Sequence, residues 1–476
     1  MAVVLGLDIG TTTITSLAID GDTGKSLGAK TTANDSRFNG LAPGRCEFDA
    51  ERIWTQAIRC LNAVSELLGH RASEVVGVGM TGQQHGVVLV DENLKPVSPY
   101  INWQDQRGAD PHPDGGTYVD ALVGRLGNEQ YQRHGCYLRT GFMGLTLTWL
   151  ADNGQLPENC QAAFIMDFVA SRLCQAGLTS DPTAAGSAGV LDIHENQWNE
   201  DAIGKLGWSS KILPRIGSVR ETVGSLTAEI AQETGLPAGI PVFTALGDNQ
   251  ASFLGSVSDR HSQLSINVGT GGQVGAYSEK TGEHPALEVR PFPYGGFLLA
   301  NVGACGGRSY AALERFFRLV GESLFDVEVE GSLFARMTDL AAGVTNGTHD
   351  MTCLPLFTGT RQDPDVRANW SGIDPDNFTP ANMIRSLLEG MASVFFEGYE
   401  AIQSIGVTGM TEIVGAGNGI RENEILQHCI EKRFEMPVLR PAQREEAATG
   451  AAISAAIGTG LLPDLSATAK WLSFES

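Results

Sequence analysis

Two glycine-threonine turns, Gly6-Leu7-Asp8-Ile9-Gly10-Thr11-Thr12-Thr13 and Asn267-Val268-Gly269-Thr270-Gly271-Gly272, constrain this chain more than any other feature. Each follows an apolar run of β type, Val3–Leu7 and Leu264–Val268, so one local device is used twice, far apart. Glycine at a sharp turn lets backbone N–H groups approach an anion without interference from Cβ, and the threonines add hydroxyl donors. The same residues also suit a plain hairpin turn, and the two uses are compatible. Ile14–Ile19 reads as the return strand of the first turn, which leaves Asp8 beside it on the first strand.

The rest of the chain repeats this logic in two α/β halves. Ile53, Ala57, Leu61, Val64 and Leu68 recur at helical spacing, and Val75–Met80 is then a short buried strand. Later, Pro241–Leu246 reads as a strand, Leu264–Val268 and Gln273–Tyr277 as a hairpin, and Met383–Ile402 as a long amphipathic helix. Proline and glycine cluster at Leu236-Pro237-Ala238-Gly239-Ile240-Pro241, which predicts a boundary there, with domains over 1–240 and 241–476 and a ligand cleft between them. A length of 476 residues with 42% apolar content suits two such cores. With 33 basic against 55 acidic residues, the net charge of −22 argues against nucleic-acid or anionic-membrane partners. The eight cysteines have no metal-ligand spacing and read as reduced residues, several of them buried. No signal peptide or spanning run is legible, so a cytoplasmic protein is expected.

Several polar residues stand at strand ends where a phosphoryl-transfer site would need them. In Leu246-Gly247-Asp248-Asn249-Gln250, Asp248 suits a base that takes a proton from an acceptor hydroxyl. It equally suits a helix N-cap, and at a helix start its pKa is expected to be lowered so that it stays ionised. Asp8 suits a Mg²⁺ held through water, or an Asx-type turn. Gly82-Gln83-Gln84-His85-Gly86 and Asn102-Trp103-Gln104-Asp105-Gln106-Arg107 put hydrogen-bonding groups beside an aromatic face, the combination that suits a sugar. Gly303-Ala304-Cys305-Gly306-Gly307 and Gly415-Ala416-Gly417-Asn418-Gly419 precede helices and could admit a base and ribose, or be simple helix-entry turns.

In this order, GLDIGTTT, GMTGQQHGVVLVD, NWQDQR, TGFMGLTLTWL, LGDNQAS, SINVGTGGQV, GTRQDPDVR, LLEGM and VGAGNGIREN resemble the FGGY family of carbohydrate kinases over essentially the whole chain. The resemblance implies an α/β fold of two actin-like (ribonuclease H-like) domains with ATP and sugar in the cleft, Mg²⁺ as cofactor, and a possible homodimer. Within the family, TGQQHGV, WQDQR, GFMGLTLTWL and PFPYGGFLLANVGACGG resemble the sedoheptulokinase members most and the xylulokinase members next. By position, the resemblance makes Asp248 the catalytic base. It assigns Gln84, His85, Trp103, Asp105 and Asn249 to the sugar, and Thr11, Thr12, Gly269, Thr270, Gly307, Gly415, Gly417 and Asn423 to the nucleotide. Two positions depart from the family: Thr15 and Thr146 stand where many relatives have a basic residue. They keep open a kinase-derived sugar sensor, and an actin-like ATPase is a third class, which would have no use for the segment from Gln83 to Arg107.

Overall fold

The computed structural model describes every residue except Met1, Asn128, Glu129, Val219, Asn346, Arg361, Gln362, Pro364 and Ser476. The first sheet contains β1 (Val3–Ile9), β2 (Thr13–Asp20), β3 (Ser26–Ala33), β4 (Val75–Gly82), β5 (Thr222–Ser225), β6 (Pro241–Phe243) and β7 (Leu246–Gly247). Its order is β5-β6-β4-β1-β2-β3, with β7 also on β4. The second sheet contains β8 (Gln263–Val268), β9 (Gly272–Ser278), β10 (Glu288–Pro291), β11 (Phe297–Ala304), β12 (Glu412–Ala416) and β13 (Val438–Leu439), in the order β10-β11-β9-β8-β12-β13.

The two sheets share a plan. In the first, β1-β2-β3 is an antiparallel meander, and β4 and β6 add in parallel on the other side of β1. In the second, β8-β9-β11 is the meander, and β12 and β13 add in parallel. Parallel additions need crossovers. α1 (Ala50–Leu68) makes the first and α5 (Pro380–Ser404) the corresponding one in the second half. α1 starts where the Asp49 side chain accepts from the N–H groups of Glu51 and Arg52, and it stops at Gly69, whose φ of 57° lies in the left-handed region. Its buried stripe, Ile53, Ala57, Leu61, Val64 and Leu68, is the one expected from the spacing.

The remaining helices used below are α2 (Met143–Asp152), α3 (Asp248–Leu254), α4 (Gly307–Phe325), α6 (Glu424–Phe434) and α7 (Glu446–Gly458). The faces of β1 alternate as a strand requires: Val3, Leu5, Leu7 and Ile9 enter the core shared with α1, while Val4 joins a layer built from Ala448, Ala452, Ile457 and Trp471. α7, near the end of the chain, therefore roofs the first sheet. The expected break between 240 and 241 differs from this topology. Leu226 N and Ile240 O bond across the turn, β6 pairs with both β5 and β4, and β7 pairs with β4, so 241–247 completes the first sheet. All eight cysteines are free thiols, and all but the half-buried Cys174 are buried. Among the described residues, no helix is long and apolar enough to cross a membrane.

Candidate active site

Strand register alone brings the two acids together. Asp8, near the end of β1, lies opposite Thr81 of β4, and Leu246 and Gly247 lie opposite Thr81 and Gly82 on the other side. The Thr81 hydroxyl donates to Leu246 O at 2.9 Å, which fixes the turn that delivers Asp248 to the same edge. Ligands of open α/β sheets bind at such carboxyl ends of parallel strands.

Both carboxyls are pushed up to about 7. For Asp8 the causes are burial, then the Asp248 carboxylate, then that of Glu445. For Asp248 burial dominates, and the bond its Oδ1 accepts from Asn249 N at 2.8 Å opposes it. The expected lowering by the helix start is thus overturned: α3 has only seven residues, and its end is outweighed by desolvation. Asp248 is also the first residue of the helix, not the cap, which is Gly247.

The donor chemistry of Asp8 fits a divalent cation: a part-buried carboxylate, repelled by two others, with no cation among the causes of its shift. Its register neighbour on β2, Thr15, is buried and spends its hydroxyl on Thr31 Oγ1 at 3.0 Å. Among the described residues no group of three or more metal-binding side chains forms, so a cation here would rest on one carboxylate, water and substrate oxygens. Thr146, the other departure, is fully buried within α2.

On the side expected to take the sugar, Thr11 Oγ1 donates to Gln83 Oε1 at 3.1 Å and accepts from Trp103 Nε1 at 2.9 Å. Gln83 Oε1 also accepts from Asn102 Nδ2. Trp103 stays 41% exposed and keeps an open aromatic face. The buried Gln83 Nε2 and Gln84 Oε1 have no partner among the described residues, the signature of a wall that awaits a polar ligand or water. His85 stacks on Phe142 with centroids 4.4 Å apart, and its Nδ1 lies 3.0 Å from Ser187 O. Gln84 reaches under the base turn, since a Cβ on Gly247 would come within 2.2 Å of its Oε1.

Two assignments change here. Asp105 does not face the pocket; it is fully buried and accepts from Arg107 Nε at 2.7 Å, Arg107 N at 2.9 Å and Cys46 N at 2.8 Å, and so anchors the Trp103 loop. Thr11, expected on the nucleotide side, bonds through its side chain to Gln83 and Trp103, while Thr12 beside it is exposed.

The second glycine-threonine turn is open. Gly269, Thr270 and Gly271 are exposed, and nothing lies within 4 Å of a Cβ built on Gly269 or Gly271. Gly307 N donates to Gly269 O at 2.9 Å and Arg308 N to Thr270 O at 3.0 Å, which ties the turn to the start of α4. Gly417, at φ 81°, passes so close to β8 that a Cβ would come 2.6 Å from Val268 O. Gly415 is different: it is buried in β12 beneath Val438 and Ile420. Asn423 is buried and caps α6, accepting from Leu426 N at 3.0 Å. Asn249 lines a narrow cleft with Asn267, Gln273 and Ala416, so the start of α3 faces the strands that flank the second glycine-threonine turn. Sequence reasoning did not single out Gln83 or Glu445. Gln83 was visible beside Gln84, whereas Glu445 carries no motif and is brought to Asp8 only by the docking of α7.

The N-terminal domain of the FGGY family of carbohydrate kinases matches residues 3–255, and its C-terminal domain matches 264–459. The chain is 29% identical to a glycerol kinase of Trichlorobacter lovleyi over 487 residues, covering 98% of this chain and 91% of that one. It is 26% identical to a sedoheptulokinase of Mus musculus over 493 residues, covering 95% and 96%. Its fold superposes on the xylulose kinase of Rhodospirillum rubrum with a TM-score of 0.88 at 22% identity, covering 100% of this chain and 93% of that one. A two-domain α/β fold of the actin-like ATPase type, two acids at one strand edge and family matches over both halves lead to one statement: this chain belongs to the FGGY family of carbohydrate kinases, phosphotransferases with an alcohol group as acceptor.

Proposed function

We propose that the chain transfers the γ-phosphoryl group of ATP to the terminal hydroxyl of a ketose, with sedoheptulose as the leading acceptor and xylulose or ribulose next. The observation that carries this reading is the polar wall of Gln83, Gln84, Asn102 and the open Trp103 face, one strand away from Asp248. Asp248 takes the proton of the acceptor hydroxyl, the oxygen forms its bond to the γ-phosphorus, and the bond to the leaving ADP oxygen breaks. Mg²⁺, held near Asp8, would neutralise charge on the phosphates. Asn249 and the turn Gly269–Gly271, tied down by Gly307, bring amide and backbone donors to the transferring group. The lean toward sedoheptulose rests on TGQQHGV and WQDQR, and the mouse relative named above supports it.

The test is ADP release from MgATP with sedoheptulose, xylulose, ribulose, fructose, glycerol and a no-sugar blank. A dominant sedoheptulose signal is expected. A glycerol or pentulose preference would replace the acceptor and keep the chemistry, and silence with sugar binding intact would make the protein a sensor. Asp248→Asn is expected to lower kcat by about 10³-fold while MgATP still binds, since general-base catalysis contributes about 10² to 10⁴. Turnover within a few-fold of the parent would remove Asp248 from that role.

A further inference from the structure

Arg290 is among the largest fully buried side chains, 1% exposed, and it belongs to the second half. Its strand, β10, does not stay there. Val289 N donates to Gly135 O at 2.8 Å, and the Tyr131 hydroxyl donates to Leu287 O at 2.9 Å, so the strand is stapled to the 131–135 segment of the first half. Arg290 continues inward. It donates to Gly186 O, to Cys136 Sγ at 3.2 Å and to Glu288 Oε2 at 2.7 Å, and its guanidinium lies over the Phe142 ring, 5.4 Å from the centroid.

Two of these contacts, Phe142 and Gly186, lead on to the candidate sugar wall. Phe142 carries the His85 ring stacked at 4.4 Å and an interplanar angle of 19°. Gly186 precedes Ser187, whose carbonyl holds His85 Nδ1 at 3.0 Å. Gly141, before Phe142, accepts from Gly86 N at 2.9 Å, and a Cβ on it would come 2.1 Å from Trp103 O, so the same loop props the Trp103 backbone. An arginine from the opposite half thus grips the Phe142 ring under His85 directly, and the Ser187 support of His85 and the Gly141 support of Trp103 from one residue away.

We infer that Arg290 is a positioning residue for the acceptor sugar: it braces the 139–142 loop and the 186–188 turn so that His85 and Trp103 keep a fixed spacing. Through β10 it makes that spacing depend on where the second half sits. A brace of this kind acts on sugar affinity and leaves the phosphate side alone. An arginine suits the task because its planar fork serves a carbonyl and a carboxylate at once while its face covers a ring, which lysine does only in part. The functional half of this inference rests on the reading that the His85–Trp103 wall receives the sugar.

The experiment compares parent, Arg290→Met and Arg290→Lys. The readouts are steady-state constants for the best sugar of the panel and for MgATP, and the imidazole ¹H–¹³C resonance of His85, assigned with His85→Asn. Arg290→Met is expected to raise the sugar KM about tenfold, with kcat and the MgATP KM within about threefold of the parent. The His85 resonance is expected to move as the stack on Phe142 loosens, and Arg290→Lys to recover part of both effects. If Arg290→Met does not fold, Phe142→Leu carries the test with the same readouts. An Arg290→Met protein that melts earlier but keeps its sugar KM and its His85 resonance would make Arg290 a structural pin only and overturn the inference. If the parent phosphorylates no sugar of the panel, the proposed function fails, and the His85 resonance still decides whether the brace exists.

Discussion

At the residue scale, the site keeps two carboxyls in positions that water would not choose for them. The sign of the consequence follows from their direction. An aspartate pushed up to about 7 in the folded protein, against about 3.9 unfolded, binds more protons when folded across that interval. Its contribution is therefore full below about pH 4 and is lost as pH rises through about 7. Without cation or nucleotide, Asp8→Asn is expected to raise the Tm at pH 8 by a few degrees and to leave it nearly unchanged at pH 4, measured by calorimetry. Mg²⁺ is expected to raise the parent Tm more at pH 8 than at pH 5 and to do little to Asp8→Asn. An Asp8→Asn protein less stable than the parent at pH 8 would show that its carboxylate is not repelled there. Asp8, Asp248, His85 and Trp103 were legible because each stands next to a glycine turn or a strand end that the sequence punctuates. Asp105 was not, because what decides its role is the amide of Cys46, which only the fold brings near. The direction of the Asp248 shift was misjudged for a related reason: a helix start is local and readable, while burial is a property of the assembled site.

At the scale of elements, α7 is held by close approach. A Cβ on Gly79 would come 1.8 Å from Ala451 O, one on Gly6 1.9 Å from Ala448 O, and one on Gly450 1.9 Å from Ala251 O. In each case the obstacle is backbone, which cannot turn away as a side chain can. Gly79→Ala is expected to cost about 3 kcal/mol, read as a lower urea midpoint at constant m, because overpacking a well-filled core costs about 1 to 3 kcal/mol. Since α7 also rests on α3, turnover is expected to fall with it; an unchanged midpoint would mean that the helix can lift off the sheet at no cost. The hairpin that opens each meander was legible from apolar runs at glycine turns, and α1 from its period of 3.6, whereas the third strands β3 and β11 were not read. α7 was not, since Ala448 through Ile457 are all buried and mostly small, and a helix enclosed on every side has no apolar stripe to read. The Pro-Gly cluster at 236–241 misled for the opposite reason: it is a conspicuous breaker, yet it only turns the chain between two strands of one sheet.

At the scale of the whole molecule, a chain of net charge −22 has to take up an anion. Between about 0.01 M and about 0.15 M salt the Debye length falls from about 30 Å to about 8 Å, so the long-range repulsion is screened while contacts in the cleft persist. kcat/KM for MgATP is therefore expected to rise about threefold over that range, and the same constant for the neutral sugar to stay flat; a MgATP value that falls with salt would show that a local positive field governs capture. The two-lobed plan was legible because one motif occurs twice. How the lobes interlock was not, because the chain crosses between them more often than a single boundary implies. α7 belongs to the second half by sequence and to the first by contact. The order of synthesis then runs against the order of assembly: β1 leaves the ribosome long before the helix that roofs it, which follows both sheets. Until residues 446–458 are made one face of the first sheet has no cover of its own, and a ribosome stalled short of residue 446 holds a chain whose first sheet is still waiting for its lid.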